Sequence, residues 1–297
     1  MKYHELLDLK REPFANSPNP DLLYLTARHR ECLQQLEMAV HLRRGLSVVV
    51  GEVGTGKTTI CRRLIRSLGK GHHQCLIRLL LDPDYHTPDS FLLAIARSFR
   101  LVGEPPEDLS GEEIKERLKK FLFEQGVRQG RIVLLIIDEG QKLPDSCLEI
   151  LRELLNYETN EEKLLQVLIF AQEEFQSQVA RHAYFRDRIA YWGHLRPLDF
   201  RETRALINFR LSQCQGRQKL TALFTWPALW QVYRHSRGYP RRIVMLCSQL
   251  LLTFAARRFL ADSPGPRRIR TALVRECGQR VLPRHWVWRD EEKYQDK

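Results

Sequence analysis

The sequence predicts an α/β fold in which a parallel sheet lies between two layers of helices, followed by a small all-helical domain. A glycine-rich stretch at Gly51–Thr58 lies between a short apolar run and a segment with helical periodicity. A second apolar run, Ile132–Ile137, ends in two carboxylates. Beyond Pro197 the remaining periodic segments are helical. Alternating strands and helices followed by helices alone predict a parallel sheet with an appended helical domain.

The glycine-rich stretch matches a motif that binds phosphate. The pattern G-x-x-x-x-G-K-[ST], known as the P-loop, is met without a gap by Gly51, Glu52, Val53, Gly54, Thr55, Gly56, Lys57 and Thr58. In this motif Lys57 would reach the β- and γ-phosphates of a nucleotide, and Thr58 would ligate Mg²⁺. Thr59, at the start of the following helical segment, completes the predicted nucleotide-binding set. A chance glycine turn is the alternative, but motif, strand and helix agree.

The carboxylates after the second apolar run predict a metal site and a general base. Asp138 and Glu139 follow Ile132–Ile137 directly, one strand–helix unit beyond the P-loop. This is the Walker B pattern, in which the strand places Asp138 at the carboxyl edge of the sheet, where it can bind Mg²⁺ through water. Glu139 can accept a proton from the attacking water. A plain turn at the end of a strand is the alternative.

A polar residue follows a predicted fourth strand. Leu164–Phe170 is largely apolar and predicts a buried strand, and Ala171 and Gln172 follow it. In a P-loop sheet of this type the fourth strand lies between the P-loop strand and the Walker B strand. Gln172 would therefore lie near the γ-phosphate and orient the attacking water. A helix N-cap or an exposed glutamine is the alternative.

Three arginines are candidates for contact with the nucleotide. Arg186 and Arg188 lie just before the last predicted strand, where they could reach the nucleotide of a neighbouring copy as arginine fingers. Surface ion pairs are the alternative for both. Arg241 follows a Gly-Tyr-Pro turn at the start of a helix, where a cation opposes the helix dipole unless an anion binds. A surface arginine pair is the alternative there.

Composition limits the class of protein. No apolar stretch approaches the roughly 20 residues that span a bilayer, and no signal peptide is predicted. Seven cysteines without metal-ligand spacing indicate reduced thiols in a cytosolic protein. Residues 181–297 carry 24 Lys and Arg against 9 Asp and Glu, whereas residues 1–180 carry 24 against 27. The basic part predicts an acidic partner (nucleic acid, lipid head groups or protein), or solvated helix faces with arginines committed to nucleotide.

Four regions follow from these patterns. Residues 1–28, rich in proline and asparagine, predict an extended arm without a helix that packs on the core. Residues 29–196 form the predicted P-loop domain and residues 197–280 the helical lid domain. Residues 281–297 mix tryptophans with charges and predict a loosely ordered tail.

The order of these motifs resembles that of AAA+ ATPases, and longer strings resemble the general secretion pathway protein A family. The similar strings include GEVGTGKTTICRRL, IIDEGQKLPDSCLEILRELLNYETNEEKLLQ and SRGYPRRIVMLC, and the resemblance runs from about Pro13 to Cys277. It implies ATP binding and hydrolysis with Mg²⁺ in a homo-oligomer, either a ring or a dimer. It also implies coupling to the assembly of envelope machinery, such as the secretin of type II secretion or of a pilus.

Matching positions carry the family's roles to this chain. The implied roles are Walker A for Lys57 and Thr58, Walker B for Asp138 and Glu139, sensor 1 for Gln172, sensor 2 for Arg241, and action in trans for Arg186 and Arg188. Many members have alanine where Gly140 stands, a difference expected to change little. Larger members continue into a transmembrane helix and a periplasmic peptidoglycan-binding domain, whereas this chain stops first. We therefore expect a soluble ATPase at the cytoplasmic face of the inner membrane, bound to an inner-membrane component.

Three functions are compatible with these patterns. The favoured one is an ATPase that drives or regulates assembly of secretion, pilus or polysaccharide-export machinery. A DNA-bound regulator, like the AAA+ ATPases of transposition and replication initiation, fits the basic helical domain, although no helix-turn-helix is evident there. A nucleotide-dependent scaffold with negligible turnover is the third, and the presence of Glu139 argues against it.

Overall fold

The chain divides into two compact units. The computed structural model describes residues 3–15, 22–69, 74–103, 109–216, 223–259 and 268–282. The sheet unit is Ala27–Arg196, and the helical unit joins Pro197–Lys297 to Met1–Thr26. The N-terminal arm therefore belongs with the helical unit, although its sequence pattern predicts a separate region.

The arm also contains a helix that its composition does not predict. α1, Tyr3–Leu6, is one short turn, so the prediction of an arm without a helix is wrong. Packing explains the difference, because Leu7, Leu9, Phe14 and Leu22 are buried in the core of the helical unit. Removing these apolar side chains from water favours an ordered arm, which a count of prolines cannot reveal.

A five-stranded parallel sheet forms the centre of the sheet unit. Its strands are β1 Leu46–Gly51, β2 Cys75–Leu80, β3 Ile132–Ile137, β4 Leu165–Ala171 and β5 Ile189–Leu195. The order is β2-β3-β4-β1-β5, so β4 lies between β1 and β3, which confirms its predicted position. Every residue of β1, β3 and β4 is buried, including the polar Ser47 and Gln166, as expected for inner strands of a parallel sheet covered by helices.

The helices of the sheet unit are α2 Ala27–His41, α3 Lys57–Leu68, α4 Pro88–Ser98, α5 Gly111–Phe123, α6 Asp145–Leu154, α7 Glu174–Arg181 and α8 Ala183–Arg186. Those from α4 to α8 share one apolar core with the sheet. A capping box opens α5, where the Ser110 N–H donates to Glu113 Oε2 at 2.8 Å and the Glu113 N–H donates to Ser110 Oγ at 3.3 Å. These two bonds satisfy donors that a helix start otherwise leaves unpaired.

The helical unit has an apolar core of its own. Its longer helices are α9 Phe200–Cys214, α10 Trp226–Ser236, α11 Pro240–Phe259 and α12 Thr271–Val281. The predicted tail lies outside the described residues from position 283 onward. All seven cysteines are free thiols, and six are buried. In the part of the chain that the structure describes, no helix has the length and apolar character needed to cross a bilayer.

Candidate active site

The P-loop connects β1 to α3 through a backbone that only glycine adopts easily. Gly54 and Gly56 have φ values of 87° and 110°, in the left-handed region. α3 begins at Lys57, directly after Gly56. Glycine has no side chain with which to cap a helix, so the first N–H groups of α3 are available to an anion, which the helix dipole also attracts. The predicted loop therefore has the geometry of a phosphate site.

Lys57 is a buried cation at the centre of this loop. Its side chain is folded across the P-loop, where Nζ donates to the carbonyl oxygens of Gly51 at 2.5 Å and Glu52 at 3.1 Å. Burial lowers the pKa of Lys57, and the nearby carboxylates of Glu139 and Asp138 oppose that change. Because a buried ammonium group is costly without an anionic partner, this position favours a phosphate ligand.

Asp138 fits the predicted magnesium site. It lies just past the end of β3 and is only 8% exposed. Burial raises the pKa of Asp138, an effect that the negative charge of Glu139 reinforces, while the Glu139 N–H, which donates to Asp138 Oδ1 at 3.0 Å, lowers it. A bound cation would stabilise this buried carboxylate. Carboxylate and hydroxyl oxygens are suitable ligands for Mg²⁺, so Asp138 and Thr58 are the residues that would hold it.

Glu139 adopts an unusual backbone conformation, and its carboxylate is held from two sides. Its φ of 55° lies in the left-handed region, which non-glycine residues adopt rarely. Glu139 Oε2 accepts hydrogen bonds from Gln141 Nε2 at 2.6 Å and from Gln172 Nε2 at 3.3 Å. The structure therefore brings Gln172 beside Glu139. Gln141 is a neighbour to which the sequence motifs assign no role, since its contact depends on a turn.

Gly140 is more constrained than the sequence comparison suggests. A Cβ at this position would lie 2.2 Å from Ile169 Cγ2 and 3.5 Å from Ala171 Cβ, both on β4. Separations below about 3 Å are not seen for real Cβ atoms, so alanine requires β4 or the turn to move. The expectation that alanine changes little at this position is therefore wrong for this chain, because the turn after β3 packs directly on β4.

His29 is a second contact that the sequence does not single out. It lies on α2, is 5% exposed, and its Nε2 donates to the carbonyl oxygen of Thr55 in the P-loop at 3.1 Å. The same atom lies 3.2 Å from the position that a Cβ on Gly56 would occupy. His29 thus supports the P-loop backbone directly before α3. The available signal was a histidine on the buried face of an amphipathic helix that leads into the motif.

Comparison with known proteins agrees with this geometry. The model of a family described as an AAA domain matches residues 40–179. The chain is also 35% identical over 258 residues to general secretion pathway protein A of Aeromonas hydrophila, a match that spans 86% of this chain and 45% of that relative. The chain is an AAA+ protein that resembles general secretion pathway protein A. The match covers less than half of the length of general secretion pathway protein A.

Other similar proteins are more distant from this AAA+ chain. An uncharacterised HTH-type transcriptional regulator of Methanocaldococcus jannaschii is 24% identical over 277 residues, which is 82% of this chain and 67% of that protein. Among solved structures, Cdc6p of Pyrobaculum aerophilum has a TM-score of 0.63 at 18% identity, covering 92% of this chain and 72% of its own. Drosophila ORC bound to DNA has a TM-score of 0.64 at 18% identity, and the match covers 90% of this chain and 63% of the ORC chain. These structures support the α/β fold alone.

The three predicted arginines of the AAA+ chain take no part in the contacts described above. Arg186 ends α8 in the sheet unit, is exposed, and pairs with Asp187 at 3.6 Å. The charge of Arg188 acts on Glu158. These two partners, Asp187 and Glu158, are different from the carboxylates of Asp138 and Glu139 beside the P-loop. Arg241 is exposed in the first turn of α11, in the helical unit. Their roles therefore remain predictions.

We expect His29→Ala to weaken ATP binding roughly tenfold, because it removes a hydrogen bond to the P-loop and the ring that supports Gly56. Titration of ATP in the presence of Mg²⁺ measures the effect. His41→Ala, at the exposed end of the same helix, is the matched control and should bind ATP like the wild type. Wild-type affinity in a folded His29→Ala variant would contradict a supporting role for His29.

Proposed function

We propose that the protein binds ATP with Mg²⁺ and hydrolyses it to ADP and phosphate. The observation that carries this proposal is the meeting of four groups at one edge of the sheet: the P-loop with Lys57, the carboxylates of Asp138 and Glu139, and Gln172. The charges of Asp138 and Glu139 act directly on Lys57. Such an arrangement of a phosphate loop, a metal carboxylate and a base supports phosphoryl transfer to water.

Each residue has a distinct task in this reaction. The P-loop N–H groups of residues 51–59 and Lys57 hold the phosphates, and Arg241 contacts the γ-phosphate from the lid. Asp138 and Thr58 would hold Mg²⁺, which would neutralise charge on the phosphates. Glu139 accepts the proton of the attacking water, and Gln172 orients that water. The chain's own contribution is therefore positioning and proton transfer.

Separate variants should divide binding from hydrolysis. We expect Lys57→Ala to lose nucleotide binding, and Glu139→Gln to keep ATP affinity while kcat falls by a factor of about 10² to 10⁴, because only the base is lost. ATP titration and phosphate release measure the two quantities. Glu174→Gln, which removes another carboxylate whose charge reaches Lys57, should retain turnover. Tight ATP binding by Lys57→Ala, or normal turnover by Glu139→Gln, would refute the respective assignment.

We further propose a homo-oligomer in which Arg186 and Arg188 act on the nucleotide of a neighbouring copy. The exposure of Arg186 on the short helix α8 supports this proposal, since a finger must be free to reach outward. A pair of inactive variants tests it: Arg186→Ala/Arg188→Ala protein lacks fingers, and Lys57→Ala protein lacks a nucleotide site. We expect their mixture to recover part of the ATPase activity that each lacks alone.

The matched control for this mixture is Arg181→Ala, which removes a nearby exposed arginine that pairs with Asp145 at 3.6 Å. That variant should hydrolyse ATP at the wild-type rate. Normal hydrolysis by the Arg186→Ala/Arg188→Ala variant alone would exclude the proposed fingers.

The process that hydrolysis drives is proposed from the relative. The 35% identity to general secretion pathway protein A over 86% of this chain supports a role in assembling secretion, pilus or polysaccharide-export machinery. We propose that the protein works in the cytoplasm, peripherally at the inner membrane, through an inner-membrane partner of that machinery. The match spans 45% of that relative, so the remainder of its length contributes nothing to this argument.

DNA binding is the second candidate, and specific observations favour it. Residues 181–297 carry a large excess of Lys and Arg, and similar folds occur in Drosophila ORC bound to DNA and in Aeropyrum pernix ORC1 in complex with DNA. Phosphate neutralisation by arginine would explain the charge. This candidate and the envelope proposal make opposite predictions for the response of the ATPase to duplex DNA.

We expect duplex DNA to leave the ATPase rate unchanged at physiological salt, and tagged protein to be recovered with an inner-membrane complex. Phosphate release with and without DNA, together with affinity purification from detergent-solubilised membranes, measures both. The Lys57→Ala variant controls for recovery that does not depend on nucleotide. DNA stimulation that falls steeply between 50 and 200 mM salt, without membrane recovery, would favour the DNA-bound regulator instead.

A further inference from the structure

Gln141 connects two groups of the proposed hydrolysis site. It lies in a single turn of 3₁₀ helix, Gly140–Lys142, that directly follows Glu139. Gln141 Nε2 donates to Glu139 Oε2 at 2.6 Å, and Gln141 Oε1 accepts from the backbone N–H of Gln172 at 2.9 Å. One amide group therefore contacts both the proposed base and the residue proposed to orient the water.

The orientation of this amide follows from its partners. The backbone N–H of Gln172 can only donate, so the atom facing it must be the Gln141 carbonyl oxygen. The NH₂ group then faces the carboxylate of Glu139, which accepts its hydrogen bond in the ionised form. The amide oxygen of Gln141 thus faces a hydrogen-bond donor, and its NH₂ group faces an acceptor.

This link lies beyond the point where β3 and β4 are paired. The last paired residues of β3 and β4 are Ile137 and Ile169, and both Glu139 and Gln172 come after them. Beyond that pair, Gln141 supplies a hydrogen bond from the β3 side to the backbone that follows β4. The tight packing of Gly140 on β4 fixes the turn that carries Gln141. This side chain therefore acts together with the direct hydrogen bond from Gln172 Nε2 to Glu139 Oε2 in setting the relative placement of the base and the water-orienting residue.

We propose that Gln141 is a positioning residue for hydrolysis, which aims the Glu139 carboxylate at the attacking water and keeps it in register with Gln172. This inference rests on the proposed ATPase function. Glutamine suits the task because it offers a donor and an acceptor on one side chain. Methionine has a similar length and neither group, whereas glutamate keeps the acceptor and places a second negative charge beside Glu139.

The test compares Gln141→Met and Gln141→Glu with the wild-type protein. We expect Gln141→Met to lower kcat roughly 10- to 100-fold, because small misplacements of catalytic groups cost rates of that order, while the Kd for ATP changes less than about threefold. In Gln141→Glu, the new carboxylate can still accept from the Gln172 N–H but repels the carboxylate of Glu139, so we expect a comparable loss of kcat. Phosphate release at saturating ATP and ATP titration measure these effects.

Gln178→Met is the matched control. Gln178 also uses its amide for two hydrogen bonds, to the Leu143 carbonyl oxygen at 2.7 Å and to Asp145 Oδ1 at 2.8 Å, but contacts neither Glu139 nor Gln172 in the described structure. Its kcat should match the wild type, and circular dichroism should show all variants folded.

Three outcomes would overturn the inference. Wild-type kcat in Gln141→Met would do so, as would an equal loss of kcat in Gln178→Met, or a loss of ATP affinity parallel to the loss of kcat. Glu139→Gln keeps the two proposals distinguishable. If Glu139→Gln is inactive while Gln141→Met is normal, only the role of Gln141 fails. If Glu139→Gln turns over normally, the proposed base itself fails.

Discussion

The site depends on one constraint, the position of β4 between β1 and β3 in a parallel sheet. Parallel strands end at the same edge, so the segments that follow these three strands must meet there. The P-loop follows β1, Asp138 and Glu139 follow β3, and Gln172 follows β4. A phosphate site, two carboxylates and a polar amide become neighbours without any long loop. The hydrogen bond between Gln172 and Glu139 is the direct consequence.

Burial gives this edge its electrostatic character. The pKa of Lys57 is lowered and that of Asp138 is raised, in both cases mainly by burial, so the site disfavours each charge in isolation. Each charge is favoured again by a ligand of opposite sign, a phosphate for the lysine and a metal ion for the carboxylate. The two groups whose charged forms are destabilised by burial are therefore matched to a nucleotide and its metal ion. His29 and Gln141 add hydrogen bonds that hold the loop and the base in place.

The sequence predicts most of this architecture because its signals are local. Largely apolar runs predict β1, β3 and β4, the P-loop has a fixed spacing, and the expected strand order predicts Gln172 near the γ-phosphate. The missed features all depend on contacts between distant residues. Gln141 requires the turn after β3 to pack on β4, and His29 acts through a loop many residues away in the chain. The arm joins the helical unit through buried side chains such as Phe14, which no local pattern reveals.

We expect Lys57 to exchange its contacts with the P-loop carbonyls for a nucleotide phosphate. A crystal structure with a non-hydrolysable ATP analogue and Mg²⁺ measures this exchange. It should show phosphates surrounded by the N–H groups of residues 51–59, with Lys57 Nζ moved from the Gly51 carbonyl oxygen to a phosphate oxygen and Mg²⁺ near Asp138. A nucleotide bound elsewhere, or bound while Lys57 still donates to Gly51, would contradict this expectation.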